Sequence, residues 1–166
     1  MRYTLLLLLA IVTIAVQGQS KTTEKLHKNN SDARSLFFYN NTLRMINQKE
    51  DKEFDLLIRD VEKMKFLMIE NNNFTGDDYK KLISGYKSES FEEMMTSRIE
   101  GKNFDVYMKD GESKGMVVTV KDSTYLYVLD IVGSIPLNKI SQVFKTIEGS
   151  GEIDKIVEKF TAKHKH

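Results

Sequence analysis

The chain has 166 residues, of which 25 are Lys or Arg and 24 are Asp or Glu, so its formal net charge is +1. This length suits one globular domain, and the balanced charge excludes the strong positive field that non-specific nucleic-acid binding requires. Cysteine is absent, which excludes disulfides, thiolate nucleophiles, zinc fingers and iron–sulfur clusters.

The amino terminus has the pattern of a secretory signal peptide. Arg2 supplies a positive charge, residues 5–16 are apolar apart from Thr13, and small residues stand at the −3 and −1 positions of a cleavage site after Gly18. The apolar run is shorter than the roughly 20 residues that span a bilayer. We therefore expect cleavage rather than a membrane anchor, and a mature chain that starts at Gln19 with no net charge.

Residues 19–32 are polar, with Leu26 as the only large apolar side chain, so we expect a flexible leader there. His27 lies in this segment, whereas His164 and His166 lie at the opposite end of the chain. None of the three has the neighbouring partner that a metal site requires. We predict no metal site and no cofactor.

Two amphipathic helices are predicted next, at residues 33–48 and 51–63, because apolar side chains recur there at three- and four-residue spacing. Residues 65–70 form a short, almost wholly apolar run, which is typical of a strand buried on both faces. The first helical stripe consists of Leu36, Tyr39, Leu43 and Ile46, and the second of Phe54, Leu57, Ile58 and Val61.

A third helix is predicted to begin at Thr75, whose hydroxyl can cap the amide of Asp78. After Ser88 the apolar pattern changes to a period near two, which predicts an antiparallel meander with hairpin turns. The last strand is apolar on both faces except at Asp130, and this indicates a central position in the sheet. The predicted strands are residues 91–99, 104–109, 116–121 and 125–132.

A helix is predicted at residues 136–147 and a short amphipathic helix at residues 153–160. Because the strands cluster instead of alternating with helices, the predicted fold class is α+β. We expect a two-layer sandwich: a four- or five-stranded, mainly antiparallel sheet with helices packed on one face. The predicted plan is a signal peptide (1–18), a flexible leader (19–32), a single α+β domain (33–148) and a tail helix (149–166). The side chains predicted to meet in the core are Leu67, Val118, Leu129 and Ile140.

No arrangement typical of catalysis is found. Glu92 and Glu93 are neighbours in a predicted strand and point to opposite faces, while Asp77 and Asp78 stand at a helix start, where they suit the helix dipole. Residues 111–115 superficially resemble a phosphate loop, but they lie between strands, so a hairpin turn is the better interpretation. We predict that the protein is not an enzyme.

Three tyrosines are the candidate binding residues. Tyr125 and Tyr127 share one face of a strand, and Tyr107 lies on a neighbouring strand, so the three can form an exposed aromatic strip for protein contacts. The alternative is that their rings cover the sheet as part of the core and only the hydroxyls reach water. The sequence leaves both interpretations open.

The chain resembles a known family over residues 36–147. The resemblance rests on the helical segment 54–63 leading into the strand at 65–68, the helix at 79–86, the hairpins at 102–132, and the Gly-Ser-Ile-Pro-Leu run at 133–137. It is similar to the small exported Bacteroidetes proteins grouped as domain-of-unknown-function family 4252, although its charged tail after Gly149 is longer. The resemblance implies a location in the cell envelope and supplies no catalytic residues.

The leading hypothesis is therefore an exported, non-enzymatic interaction or accessory domain of the bacterial envelope, in the periplasm or secreted. Its expected partner is an envelope protein, with no nucleic acid and no membrane span after cleavage. The resemblance also leads us to expect a gene neighbourhood with a sigma factor and its anti-sigma partner, which would link the domain to envelope signalling. The alternatives are a small-ligand or lipid-binding module and, third, a weak hydrolase.

Overall fold

The computed structural model describes residues 19–46, 52–111 and 114–140. The predicted signal peptide and the predicted tail helix lie outside the described residues. Six strands form one antiparallel sheet in the order β1-β2-β6-β5-β4-β3. The strands are β1 (Arg34–Tyr39), β2 (Val61–Glu70), β3 (Glu92–Ile99), β4 (Lys102–Lys109), β5 (Gly115–Lys121) and β6 (Tyr125–Gly133).

Four α-helices and two short 3-10 turns, at Asn71–Asn73 and Leu137–Lys139, connect or flank these strands in the described part of the chain. None of the helices placed there has the length and apolar character needed to cross a membrane. The α-helices are α1 (Lys21–Asn29), α2 (Asn40–Ile46), α3 (Lys52–Ile58) and α4 (Gly76–Ser88).

The antiparallel α+β prediction is confirmed, and β6 lies between β2 and β5 as the central-strand prediction requires. The strand number was wrong because residues 34–39 form β1 instead of the first half of a helix. Consecutive aromatic residues such as Phe37 and Phe38 favour a strand. They lie opposite Lys65 and Met64 of β2 in continuous register, so pairing with β2 outweighs the helical spacing.

Helices cover both faces of the sheet, so the prediction of helices on one face was wrong. On the α2/α3 face, Phe66, Leu129 and Val118 pack with side chains of α2 and α3, including Leu43 and Leu57. The opposite α1/α4 face has its own apolar cluster. That cluster includes Leu26, Leu67, Leu82, Tyr86, Val117 and Val128.

The predicted flexible leader at residues 19–32 contains α1. Ser20 is its N-cap and accepts hydrogen bonds from the amides of Thr22 and Thr23, which satisfies donors that a helix start leaves unpaired. Thr23 and Leu26 are buried against the sheet. A polar composition suggested disorder, but Leu26 docks α1 in the apolar cluster on the sheet, and the buried Thr23 is hydrogen-bonded to Tyr86.

The predicted start of the third helix is confirmed: Thr75 caps α4, and Asp78 returns a hydrogen bond to the Thr75 amide in a capping box. All four residues predicted for the core are buried. They do not form one group, because Leu67 points to the α1/α4 face and the other three belong to the opposite cluster. The predicted hairpin after Asp110 is formed by β4 and β5.

Candidate functional site

The three tyrosines predicted as a binding strip lie on two faces of the sheet. The rings of Tyr125 and Tyr127 are 5.8 Å apart on the α2/α3 face. Tyr107 lies on the α1/α4 face, with its ring 6.2 Å from that of Tyr86. The register explains the separation: Tyr107 is aligned through Val117 with Asp130 and not with Tyr127. The expectation of one shared face was therefore wrong.

These tyrosines also contribute to the core. Only 2% of Tyr107 and 7% of Tyr127 is exposed, while Tyr125 is half-buried. Burial, together with the negative charge of Asp105, raises the pKa of Tyr107 to about 12. The described geometry thus does not form an open strip of three tyrosines, and a binding role for them stays a prediction.

A group of polar side chains that the sequence did not reveal is buried on the α1/α4 face, and we call it the polar cluster. Burying such groups is costly unless they are hydrogen-bonded or paired. The cluster therefore needs a partner for each member, and the amino-terminal segment supplies several. Its members are Ser20, Thr23, Lys65, Asp105, Thr119 and Asp130.

Asp130 lies at one end of the polar cluster. One carboxylate oxygen accepts a hydrogen bond from the backbone N–H of Ser20 at 2.9 Å, and the Thr23 side chain also bonds to the carboxylate. Burial and the nearby Glu89 charge raise the pKa of Asp130 to about 6, although these hydrogen bonds and Lys65 oppose the shift. Because the folded-state pKa exceeds the ordinary value of 3.8, this group's contribution to stability is fully present below about pH 4 and is lost as pH rises through 6.

Glu89 follows α4 and binds the start of α1. Its carboxylate accepts hydrogen bonds from the Ser20 hydroxyl at 2.9 Å, the Lys21 amide at 2.9 Å and the Thr22 amide at 2.7 Å. Partial burial alone would raise the pKa of Glu89, but these bonds and one from the Thr22 hydroxyl hold it below its usual range. A negative charge at a helix amino terminus is favourable, so Glu89 anchors α1 to α4.

Two further contacts hold α1 on the sheet. The Thr23 hydroxyl lies 3.0 Å from the hydroxyl of the fully buried Tyr86, and burial is the main reason that the pKa of Tyr86 is raised. Lys65 is 1% exposed and pairs with Glu24 of α1 at 3.3 Å, while the Phe37 ring lies 4.9 Å from its ammonium nitrogen. The buried ammonium therefore has both a carboxylate and an aromatic face as neighbours.

Tyr79 connects α4 to the other end of the polar cluster. Its hydroxyl donates a hydrogen bond to Asp105 of β4 and lies 2.9 Å from the Thr119 hydroxyl of β5. Burial and the hydrogen bond to Asp105 raise the pKa of Tyr79. Because Tyr79 keeps its proton, its hydroxyl remains a hydrogen-bond donor to Asp105 and cannot act as a base. The contact therefore holds α4 on the sheet.

A small cleft of about 50 Å³ opens beside Asp130. This volume has room for a few water molecules, and Gln19, Ser20 and Glu89 line it with Asp130. Across the described ranges, no group of three or more His, Asp or Glu residues is placed to hold a metal ion. The hydrogen bonds of this site join the amino-terminal segment to the sheet and to α4. Some are accepted by the carboxylates of Asp130 and Glu89, and one joins the neutral hydroxyls of Thr23 and Tyr86.

One signal for this site was present in the sequence. Asp130 interrupts an otherwise apolar strand, and a charged residue at a doubly buried position requires partners. Nothing in the pattern of residues 19–24 identifies those partners, because Ser, Thr and Glu are ordinary in a polar segment. Their role is visible only once α1 is placed against β6.

The fold and the polar cluster define a class of protein: a six-stranded antiparallel α+β domain with helices on both faces of the sheet. The chain matches the family described as Domain of unknown function (DUF4252) over residues 27–143, and it belongs to that family. The match begins at residue 27 and so includes only the last three residues of α1. No curated protein and no solved structure matches the chain.

Proposed function

We propose that the protein is an exported, non-enzymatic interaction domain of the bacterial envelope, located in the periplasm or secreted, with a role in envelope signalling. The observation that supports an interaction role best is the outer edge of β1, which no other described strand covers. Strand β1 pairs only with β2 among the described strands, and an open strand edge is a template for another extended chain.

The two edges of the sheet differ in how they are protected. β3 carries Glu92, Glu93 and Arg98, and its register with β4 is interrupted between Glu93 and Met95. Charges and bulges of this kind discourage strand addition. In β1 the only charged residue is Arg34, and its register with β2 is continuous. β1 is therefore the better candidate for binding a partner strand.

Two aromatic side chains flank this edge and provide contact area. Phe37 is 48% exposed and Tyr39 is 61% exposed, and their alternation places both on the α1/α4 face. Exposed aromatic residues beside an open edge suit a partner that adds a strand and inserts apolar side chains. We propose an extended segment of an envelope protein as that partner.

The polar cluster fits a supporting role better than catalysis. Its hydroxyls and carboxylates are hydrogen-bonded to groups of α1, of α4 and of Glu89. The cleft beside Asp130, at about 50 Å³, is far smaller than the roughly 300 to 1,000 Å³ of typical ligand pockets. This gives no support to the alternative of a small-ligand or lipid-binding module. Buried networks of this kind can fix a unique arrangement of helices.

Photo-cross-linking in intact cells tests this function. With a photoreactive phenylalanine analogue at position 39, we expect a discrete cross-linked product with an envelope protein, because the probe lies beside the open edge. The matched control places the same probe at Ile99, which is 46% exposed at the protected edge. Equal cross-linking at both positions, or a product at position 99 alone, would contradict the proposed surface.

A further inference from the structure

The amino-terminal end of the described chain lies beside two carboxylates. Gln19 lines the cleft that also contains Asp130 and Glu89. The next residue, Ser20, donates its backbone N–H to Asp130 at 2.9 Å. Three bonds of about 1.3 to 1.5 Å separate the two backbone nitrogens, so the α-nitrogen of Gln19 is no more than roughly 7 Å from the Asp130 oxygen.

We propose that the α-ammonium group created at Gln19 by removal of residues 1–18 is the counter-ion of Asp130, so that processing completes the polar cluster. This inference rests on the export and cleavage contained in the proposed function. In the uncleaved chain the same nitrogen is a neutral amide. Cleavage converts it into an ammonium with an ordinary pKa of about 7.7 to 8.0, charged at neutral pH.

The charges that face Asp130 explain why it needs this partner. Lys65 of β2 faces Asp130, but its ammonium group forms an ion pair with Glu24 of α1. From the end of α4, Glu89 adds a second negative charge. Thr23 of α1 and Tyr86 of α4 are neutral neighbours. The buried carboxylate thus has one positive neighbour that is shared and one negative neighbour that opposes it.

Two other lysines line the cleft, Lys109 at the end of β4 and Lys114 before β5. Within the part of the chain that the structure describes, neither forms an ion pair with Asp130, and neither is among the main causes of its pKa shift. The α-ammonium differs from both because it stands one residue before Ser20, whose hydrogen bonds hold the backbone, so only rotation about the Gln19 Cα–C bond moves it relative to Asp130. It is held by the backbone rather than by a flexible side chain, so less conformational entropy is lost on pairing.

The pairing has a consequence for proton binding. An opposite charge within about 4 to 6 Å lowers a carboxyl pKa by roughly 1 to 3 units. The pKa of Asp130, about 6 with a neutral amide at Gln19, should therefore fall in the processed chain. By reciprocity the pKa of the α-ammonium should rise above its ordinary range, so its stabilising contribution is present below about pH 8 and is lost at higher pH.

One side reaction must be controlled in the experiment. The α-amine of an amino-terminal glutamine can attack its own side-chain amide carbon, which forms a new N–C bond, releases ammonia and removes the positive charge. The substitution Gln19→Ala prevents this cyclisation and keeps the ammonium. All chains to be compared therefore carry Gln19→Ala.

The experiment compares a chain that begins at position 19 with a chain that begins at Val16, and so moves the ammonium three residues away. Both contain every described residue, and thermal melts check that both fold. The Asp130 carboxyl is titrated by carbon NMR and assigned by its loss in Asp130→Asn. We expect a midpoint near 6 in the longer chain and a midpoint lower by at least about one unit in the shorter chain.

Equal midpoints in the two chains would overturn the proposal. A second measurement is independent of the Asp130 assignment: the pKa of the α-amine should be raised in the shorter chain and return to its ordinary range in Asp130→Asn. An α-amine pKa in the ordinary range in the shorter chain, unchanged by Asp130→Asn, would also overturn the proposal. These chains are made with defined starts, so the outcome does not depend on whether the native cell cleaves after Gly18, which the mass of the native protein reports separately.

Discussion

Replacing Gly133 by alanine is expected to cost at least about 4 kcal/mol of folding free energy. Gly133 ends β6 with a φ of +109°, and a Cβ there would lie 1.8 Å from the carbonyl oxygen of Asp60 and 3.2 Å from the Cα of Val61. Both neighbours are backbone, so they cannot move aside as a flexible side chain can. The Asp60 carbonyl also accepts a hydrogen bond from Ser134 at 3.1 Å, which any shift would disturb.

Chemical denaturation measures this effect, with Gly101→Ala as the matched control. Gly101 also has a positive φ, +80°, but nothing lies within 4 Å of the added Cβ. Its substitution carries only conformational strain, about 1 to 2 kcal/mol. If Gly133→Ala is as stable as Gly101→Ala, the close approach of β6 to Asp60 is not present in the protein.

Truncating Leu129 to alanine is expected to cost about 2 to 5 kcal/mol. Leu129 lies in the central strand β6, directly opposite Phe66 of β2 and Val118 of β5, and it is buried in the α2/α3-face cluster. Removing its side chain leaves a cavity that two rigid neighbouring strands cannot readily fill. The measurement is the change in unfolding free energy from urea melts, at unchanged m-value.

The control for this substitution is Leu56→Ala in α3. The Leu56 side chain is more than half exposed, so its truncation should change stability by no more than about 0.5 kcal/mol. A loss below about 1 kcal/mol for Leu129→Ala would show that β6 is not the centre of the sheet.

The sequence predicted the meander after residue 91 because the strands at 104–109, 116–121 and 125–132 have alternating or continuous apolar residues and are separated by turn signals. It failed at residues 33–48, where Leu36 and Tyr39 have helical spacing yet belong to β1. Spacing alone could not decide between helix and strand over six residues. The partner strand decided it, since β1 is held by β2, which also begins earlier than predicted.

The candidate site was less predictable than the fold. Asp130 was recognisable as a charge within an apolar strand, but its partners Ser20 and Thr23 are about 110 residues away in the chain. Periodicity carries no information about contacts of that sequence separation. The same limit explains why the three tyrosines were wrongly expected on one face of the sheet. Whether Tyr107 and Tyr127 share a face depends on the register of β4, β5 and β6.

Export with cleavage before Gln19 is tested most directly by the intact mass of the native protein recovered from the soluble envelope fraction. The predicted result is the mass of a chain that begins at Gln19 and contains all of α1. The prediction follows from the length and flanks of the apolar run at residues 5–16. The mass of the full 166-residue chain in that fraction would contradict it.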